Sequence, residues 1–265
     1  MTISHRIAVP THWRESVMRS SALILVHGVP DTAALWRPLK DRLPKREGPV
    51  VALSLPGFGS PLPAGFSCTK DAYADWLLAQ VERIACNGVP VDIVGHDWGA
   101  LLTTRAVSLR PKLFRSWVLS GAVVQKDYPG HTFASLWNTP VIGELMMAMP
   151  KAVAKRILMR QGMPPDLAAI ESAAADRTMR SAILKLYRSA GGLARFPDWL
   201  PDVHRMPSKG MVIWGGKDPY VPPVYGQAFA KERSVPFHVA PAAGHWVVAQ
   251  DPDFVAERLA RFWGV

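Results

Sequence analysis

Short apolar stretches alternate with helical periodicities along most of this 265-residue chain. Strands are predicted over residues 21–26, 50–55, 91–94, 116–119, 211–214 and 235–239, each a β-branched or leucine-rich run closed by turn residues. Apolar residues at the 3.6-residue period predict helices over 72–84, 100–109 and 253–262. Residues 6–9 and 13–17 suit an antiparallel starting hairpin. Near-continuous apolar strands separated by helices imply an α/β fold, a mostly parallel sheet of eight strands flanked by helices. Between about Gln125 and Arg205 the strand signal stops and Met- and Ala-rich helical segments replace it. The expected organisation is therefore a core of residues 1–124 and 206–265, with residues 125–205 inserted as a helical cap.

The strand over 91–94 runs into Gly95-His96-Asp97-Trp98-Gly99, and a helix follows. This is the strand, sharp turn and helix of a nucleophile elbow, with a carboxylate where serine would stand. Glycines on both sides permit the strained turn that lifts Asp97 above the sheet edge, and the open helix end favours its negative charge. An ordinary helix-capping aspartate is the alternative on these five residues alone. Three further clusters fall at strand ends, where open α/β sheets place their sites. In His27-Gly28-Val29-Pro30 the N–H of Val29 is free to meet a developing oxyanion, and with the N–H of Trp98 it would form a two-donor hole. Trp214-Gly215-Gly216-Lys217-Asp218 presents a loop carboxylate suited to accepting a histidine N–H, and Gly244-His245-Trp246 supplies the histidine. The chain order is nucleophile, acid, histidine.

Composition narrows the setting. The net charge of +10 is scattered, without a run of five Lys or Arg, so a solvated basic surface is expected and no nucleic-acid partner. No apolar run reaches a membrane span and no signal pattern opens the chain, so no membrane partner is expected. Two cysteines, Cys68 and Cys86, fit reduced thiols in a cytoplasmic protein. The histidines lack ligand spacing and there is no phosphate-cradling glycine loop, so neither metal nor organic cofactor is expected.

On these residues, together with Ser54-Leu55-Pro56-Gly57-Phe58-Gly59, the chain resembles the epoxide hydrolase and haloalkane dehalogenase branch of the α/β-hydrolase fold, over nearly its whole length. The resemblance implies that Asp97 attacks a saturated carbon to give an alkyl-enzyme ester, which water activated by His245 and Asp218 hydrolyses. It implies an acid in the cap for epoxide opening, at Tyr187. The second cap tyrosine usual in epoxide hydrolases is absent here, with Leu136 and Trp137 in its stretch and His131 or Tyr128 as substitute donors. For halide release it implies indole donors, Trp98 beside Asp97 and Trp137 in the cap, while Val29 stands where one dehalogenase group has asparagine. Opening of a hydrophobic epoxide to a vicinal diol is the first expectation and haloalkane dehalogenation the second. Fluoroacetate-type dehalogenation and a non-enzymatic binding protein rank below them.

The substrate contacts expected are His27, Pro30, Trp98, His131, Trp137 and Trp246. Met146, Met147, Met149, Met159, Met163 and Met179 offer flexible apolar surface for a small hydrophobic organic substrate. Water is the other reactant, and a homodimer is the assembly left open. His96 is expected to point away from the site with its hydrogen bonds satisfied.

Overall fold

In a computed structural model, residues 21–85, 88–193 and 196–265 are described. Six strands form one sheet: β1 (Leu23–Val26), β2 (Val50–Leu53), β3 (Val91–His96), β4 (Phe114–Ser120), β5 (Gly210–Gly215) and β6 (Phe237–Ala240). Their spatial order is β2-β1-β3-β4-β5-β6, and every pairing is parallel. β1, β3 and β5 are buried along their whole length, which is why β1 and β5 read as unbroken apolar runs and β3 as one interrupted at Asp92. Six strands stand where eight were expected. The expected starting hairpin lies at 6–9 and 13–17, outside the described residues, as does Cys86.

The longer helices are α1 (Lys70–Ile84), α2 (Trp98–Leu109), α3 (Thr132–Asn138), α4 (Ile142–Met147), α5 (Lys151–Arg160), α6 (Pro165–Ala174), α7 (Arg177–Ser189), α8 (Pro223–Arg233) and α9 (Pro252–Trp263). Helices α3 to α7 all lie between β4 and β5, so one crossover of the sheet carries a helical insertion. Two apolar clusters hold the layers together. One includes Ile24, Ile93, Leu102 and Trp214; the other includes Leu25, Val94, Val118 and Leu259. Alternate residues of β1 and β3 thus enter opposite clusters, as the two-residue period of a strand requires.

At the amino end of β3, Asp92 is fully buried and accepts from Arg115 Nε at 2.8 Å, Arg46 at 2.5 Å and Ser116 Oγ at 2.5 Å. A buried carboxylate is tolerable only when paired and hydrogen-bonded in this way. The carboxyl ends of the strands, at the other edge, face the insertion.

Candidate active site

Asp97 joins β3 to α2 with φ 52° and ψ −125°, a strained backbone for a residue with a Cβ. The sequence pins that strain in place. Asp97 N–H donates to the Ser120 carbonyl at 2.8 Å, and a Cβ on Gly99 would lie 2.1 Å from the Val26 carbonyl oxygen. Only glycine lets the new helix approach β1 this closely. The raised carboxylate then meets the turn after β1, where Val29 N–H donates to Asp97 Oδ1 at 2.8 Å. A Cβ on Gly28 would sit 2.2 Å from the same oxygen.

His245, in the loop after β6, points its Nε2 at Asp97 Oδ2, 3.5 Å away, and its Nδ1 at Asp218 Oδ2, 2.8 Å away. Asp218 is fixed in turn, because its Oδ1 accepts from the N–H groups of Tyr220 at 2.9 Å and Val221 at 3.0 Å. That is an Asx turn, and it leaves Oδ2 for the histidine. Burial works to lower the His245 pKa, but the charge and hydrogen bond of Asp218, joined by Asp97, push it up to about 10. Burial likewise works to raise the Asp97 carboxyl, and the hydrogen bond and charge of His245 with the Val29 N–H hold it below its ordinary value. Both shifts favour the charged forms of His245 and Asp97 facing each other.

A cavity of about 130 Å³ opens on this group between the sheet and the insertion. Asp97, Val29, Pro30, His245 and Trp246 line it from the core, and His131, Trp137 and Tyr187 from the insertion. Tyr187 is buried, its ring 5.2 Å from that of Trp98 and 4.9 Å from that of Trp137. Burial and the Asp97 charge raise the phenol's pKa, while the Trp98 side chain beside it works to lower it, and the phenol stays protonated. His131 caps α3 by accepting the Ala134 N–H on Nδ1 at 3.1 Å, so neutral His131 carries its proton on Nε2. Burial lowers its pKa to about 4, which keeps it neutral at pH 7.

Several expected contacts fall elsewhere. His27 is fully buried and does not line the cavity; its Nδ1 donates to the Gly28 carbonyl at 2.8 Å and its Nε2 accepts Leu55 N–H at 3.1 Å. It holds the β1 turn rather than substrate. Trp98 borders only a second, smaller hollow of about 20 Å³ behind Asp97 and Tyr187. Tyr128 donates its hydroxyl to the Tyr220 carbonyl at 2.9 Å, which spends its proton. His96 lies under the site, not away from it: its ring centre is 4.9 Å from that of His245, and neither nitrogen has a hydrogen-bond partner among the described residues. Burial lowers its pKa to about 3, so it stays neutral. Of the six methionines, Met146, Met147 and Met149 line the cavity, Met163 and Met179 are buried outside it, and Met159 is exposed.

Three residues at the site escaped the sequence reading. Tyr220 lines the cavity with its ring edge against His245, 4.9 Å between centres; its signal was its place two residues after the acid of an Asx turn. Asp31 and Glu171 form a buried acidic pair at the seam of core and insertion. Asp31 Oδ1 accepts the Trp246 indole N–H at 3.0 Å, and Glu171 Oε1 accepts the Thr32 hydroxyl at 3.2 Å. Burial raises both, Asp31 further through the charge of Glu171, and Glu171 reaches about 7. Asp31 lies four residues beyond His27, but nothing in the local sequence pairs it with Glu171. Among the described residues no group of three or more His, Cys, Asp or Glu could hold a metal ion.

A family model described as "Alpha/beta hydrolase family" matches residues 23–258. Among solved structures, a haloalkane dehalogenase from Bradyrhizobium elkani superposes with a TM-score of 0.76 at 21% identity, over 92% of this chain and 90% of that one. A protein of Pseudomonas aeruginosa assigned provisionally as an epoxide hydrolase gives 0.75 at 22%, over 92% and 89%. A 2-hydroxy-6-oxo-6-phenylhexa-2,4-dienoate hydrolase from Rhodococcus gives 0.78 at 19%, over 94% and 92%. At these identities the likeness is one of fold. In sequence, an (E)-2-((N-methylformamido)methylene)succinate hydrolase from Acinetobacter baylyi is 27% identical over 106 residues, 40% of this chain. The match spans only 39% of that enzyme's length.

Proposed function

The chain belongs to the alpha/beta hydrolase family, and on that footing we propose that it opens a small hydrophobic epoxide to a vicinal diol through an ester on Asp97. One observation carries the choice of leaving group. Tyr187 is buried in the wall of the cavity that Asp97 also lines, and burial with the Asp97 charge keeps its hydroxyl protonated. Its proton is therefore available to an epoxide oxygen, whose alkoxide is too basic to depart unassisted. The Nε2–H of His131, in the same cavity wall, is the second donor. The insertion acts as a cap, residues 125–205, that closes this site.

Asp97 Oδ2 attacks a ring carbon in line while the carbon–oxygen bond breaks and the oxygen takes the Tyr187 proton. The ester removes the charge on Asp97, one of the two carboxylates that hold up the His245 pKa. The imidazolium then gives up its proton, through the cavity, to the Tyr187 phenolate, which restores Tyr187 and leaves the step proton-neutral within the site. Neutral His245, its tautomer fixed by Asp218, takes a proton from water, and the hydroxide attacks the ester carbonyl. Oδ1 of Asp97, already on the Val29 N–H, becomes the oxyanion, with the Trp98 N–H at the open end of α2 as second donor. Collapse expels the product oxygen as an alkoxide, which takes the remaining water proton from the new carboxyl group, so that the diol leaves and Asp97 is restored as a carboxylate.

Halide displacement is the second reading, favoured by the Trp137 indole in the cavity wall. Against it, the Trp98 indole does not line the main cavity. The single free cysteine among the described residues, Cys68, supports a cytoplasmic setting. The test is to replace His245 with Gln, expose the protein to an aryl epoxide or a bromoalkane, and weigh it. An adduct of the whole epoxide mass is expected; an alkyl adduct without halogen, and none from epoxide, would transfer the assignment to the second reading. No adduct from either, with silent wild type, would falsify the nucleophilic aspartate.

A further inference from the structure

The outer face of the insertion carries an apolar surface that no described part of the fold covers. Val141 is 68% exposed, Ile142 43%, Leu145 70%, Val153 42% and Met159 41%. Single exposed apolar side chains are ordinary, but five within one short stretch of a soluble fold mark an interaction site. α4 is apolar on both sides: Met146 and Met147 line the cavity beneath it, while Ile142 and Leu145 face outward. Val141, immediately before it, sits at φ +69°, a strained backbone for a β-branched residue, with its side chain held out from the protein.

Charge says what covers it. α5, which begins four residues after α4 ends, carries Lys151, Lys155, Arg156 and Arg160, three of them exposed, and no acidic residue. Between residues 139 and 160 the one carboxylate is Glu144, and Arg188 neutralises it through two contacts of 2.8 Å. A second copy of the chain would set one cationic α5 face against another, at an electrostatic cost. An anionic lipid surface complements both the apolar and the cationic parts.

We infer that α4 and α5 dock the protein on the surface of an anionic membrane, lying on it without crossing it. No helix among the described residues is long and apolar enough to cross. The proposal stands apart from the choice between epoxide and halide. It does place an apolar molecule dissolved in lipid one helix away from the Asp97 cavity, since Met146, Met147 and Met149 form that wall.

The experiment is co-sedimentation of the full chain with vesicles of phosphatidylcholine alone, or containing about one-third phosphatidylglycerol. Binding is expected only to the anionic vesicles, with release as added salt shortens the screening length. Arg156→Glu weakens that binding about tenfold or more. Leu145→Glu weakens it about fivefold or more by removing apolar contact and adding a like charge. Lys112→Glu, an equal charge change at an exposed residue by the opposite ends of the strands, leaves it unaltered. Unfolding midpoints checked in parallel confirm that each variant is folded. Equal loss from Lys112→Glu and Arg156→Glu, with Leu145→Glu silent, would reduce the effect to net charge and overturn the inference. So would indifference to anionic vesicles, or a dimer in sedimentation velocity that Leu145→Glu dissolves while vesicle binding is absent.

Discussion

The two walls of the cavity are built by different means. On the core side, position comes from backbone: a positive φ at Asp97, the close approach of Gly99 to the Val26 carbonyl, and a peptide N–H from Val29. On the insertion side it comes from side chains packed on one another, with the ring of Tyr187 held against those of Trp98, Trp137 and His131. Backbone constraints move as a unit and tolerate no extra atom, whereas packed rings can be exchanged one at a time. The core wall is thus a fixed reaction frame. The insertion wall is where chemistry and specificity can be retuned.

Substitutions graded by expected effect test that contrast. Asp97→Asn is expected to lower turnover by about 10⁴-fold or more and to form no covalent adduct in the His245→Gln background, read by steady-state rates and intact mass. Gly28→Ala adds one methyl where a Cβ lies 2.2 Å from Asp97 Oδ1. A rate loss of about 10² to 10³-fold is expected, with about 1–3 kcal/mol of stability lost in denaturant melts. A Gly28→Ala enzyme with unaltered turnover would show that the core wall is not rigid. Tyr187→Phe, on the other wall, should slow ester formation about 10²-fold yet leave hydrolysis of the ester at its own rate. Rapid-quench measurement of the two steps separates them, and equal slowing of both would remove Tyr187 from the ring-opening role. His131→Ala should follow the same pattern with a smaller loss, about tenfold.

The smallest effect concerns the seam. Glu171 has its pKa raised from 4.5 to about 7, chiefly by burial. Between those values the folded protein keeps a proton that the unfolded chain has lost, so stability falls as pH rises through this window and stays lower above it. Glu171→Gln has no such proton to lose. Its stability relative to wild type should therefore rise from near pH 4.5 to above pH 7, by on the order of 2 kcal/mol. Paired urea melts at the two pH values would show a flat difference if the seam carried no such linkage.

The contrast also explains what could be read from the sequence. All six described strands lie at or within a few residues of their predicted positions, because each is a short, mostly apolar stretch bounded by turns. Asp97, Val29, Asp218 and His245 were legible for a related reason: each follows a strand within a few residues, in a glycine-marked turn whose geometry is local. His27 misled because the same turn that frees the Val29 N–H uses the imidazole to hold Leu55. Trp98 misled because helix periodicity does not say which way an indole leaves the first turn. The pairing of Asp31 with Glu171, and of His131 with Tyr187, depends on how the insertion lies over the sheet. No local pattern encodes that placement.

Trp246 and Asp31, 215 positions apart, meet through one hydrogen bond beside the nucleophile. Such contacts close very long loops, and closure of this kind is slow. Asp97 is delivered by the third strand, but its histidine arrives only after the last strand has docked. A nascent or partly unravelled chain accordingly has no competent charge pair to act on an electrophile. Chemical competence and the docking of β6 are the same event, so covalent labelling of Asp97 would report the yield of fully folded molecules in a refolding mixture.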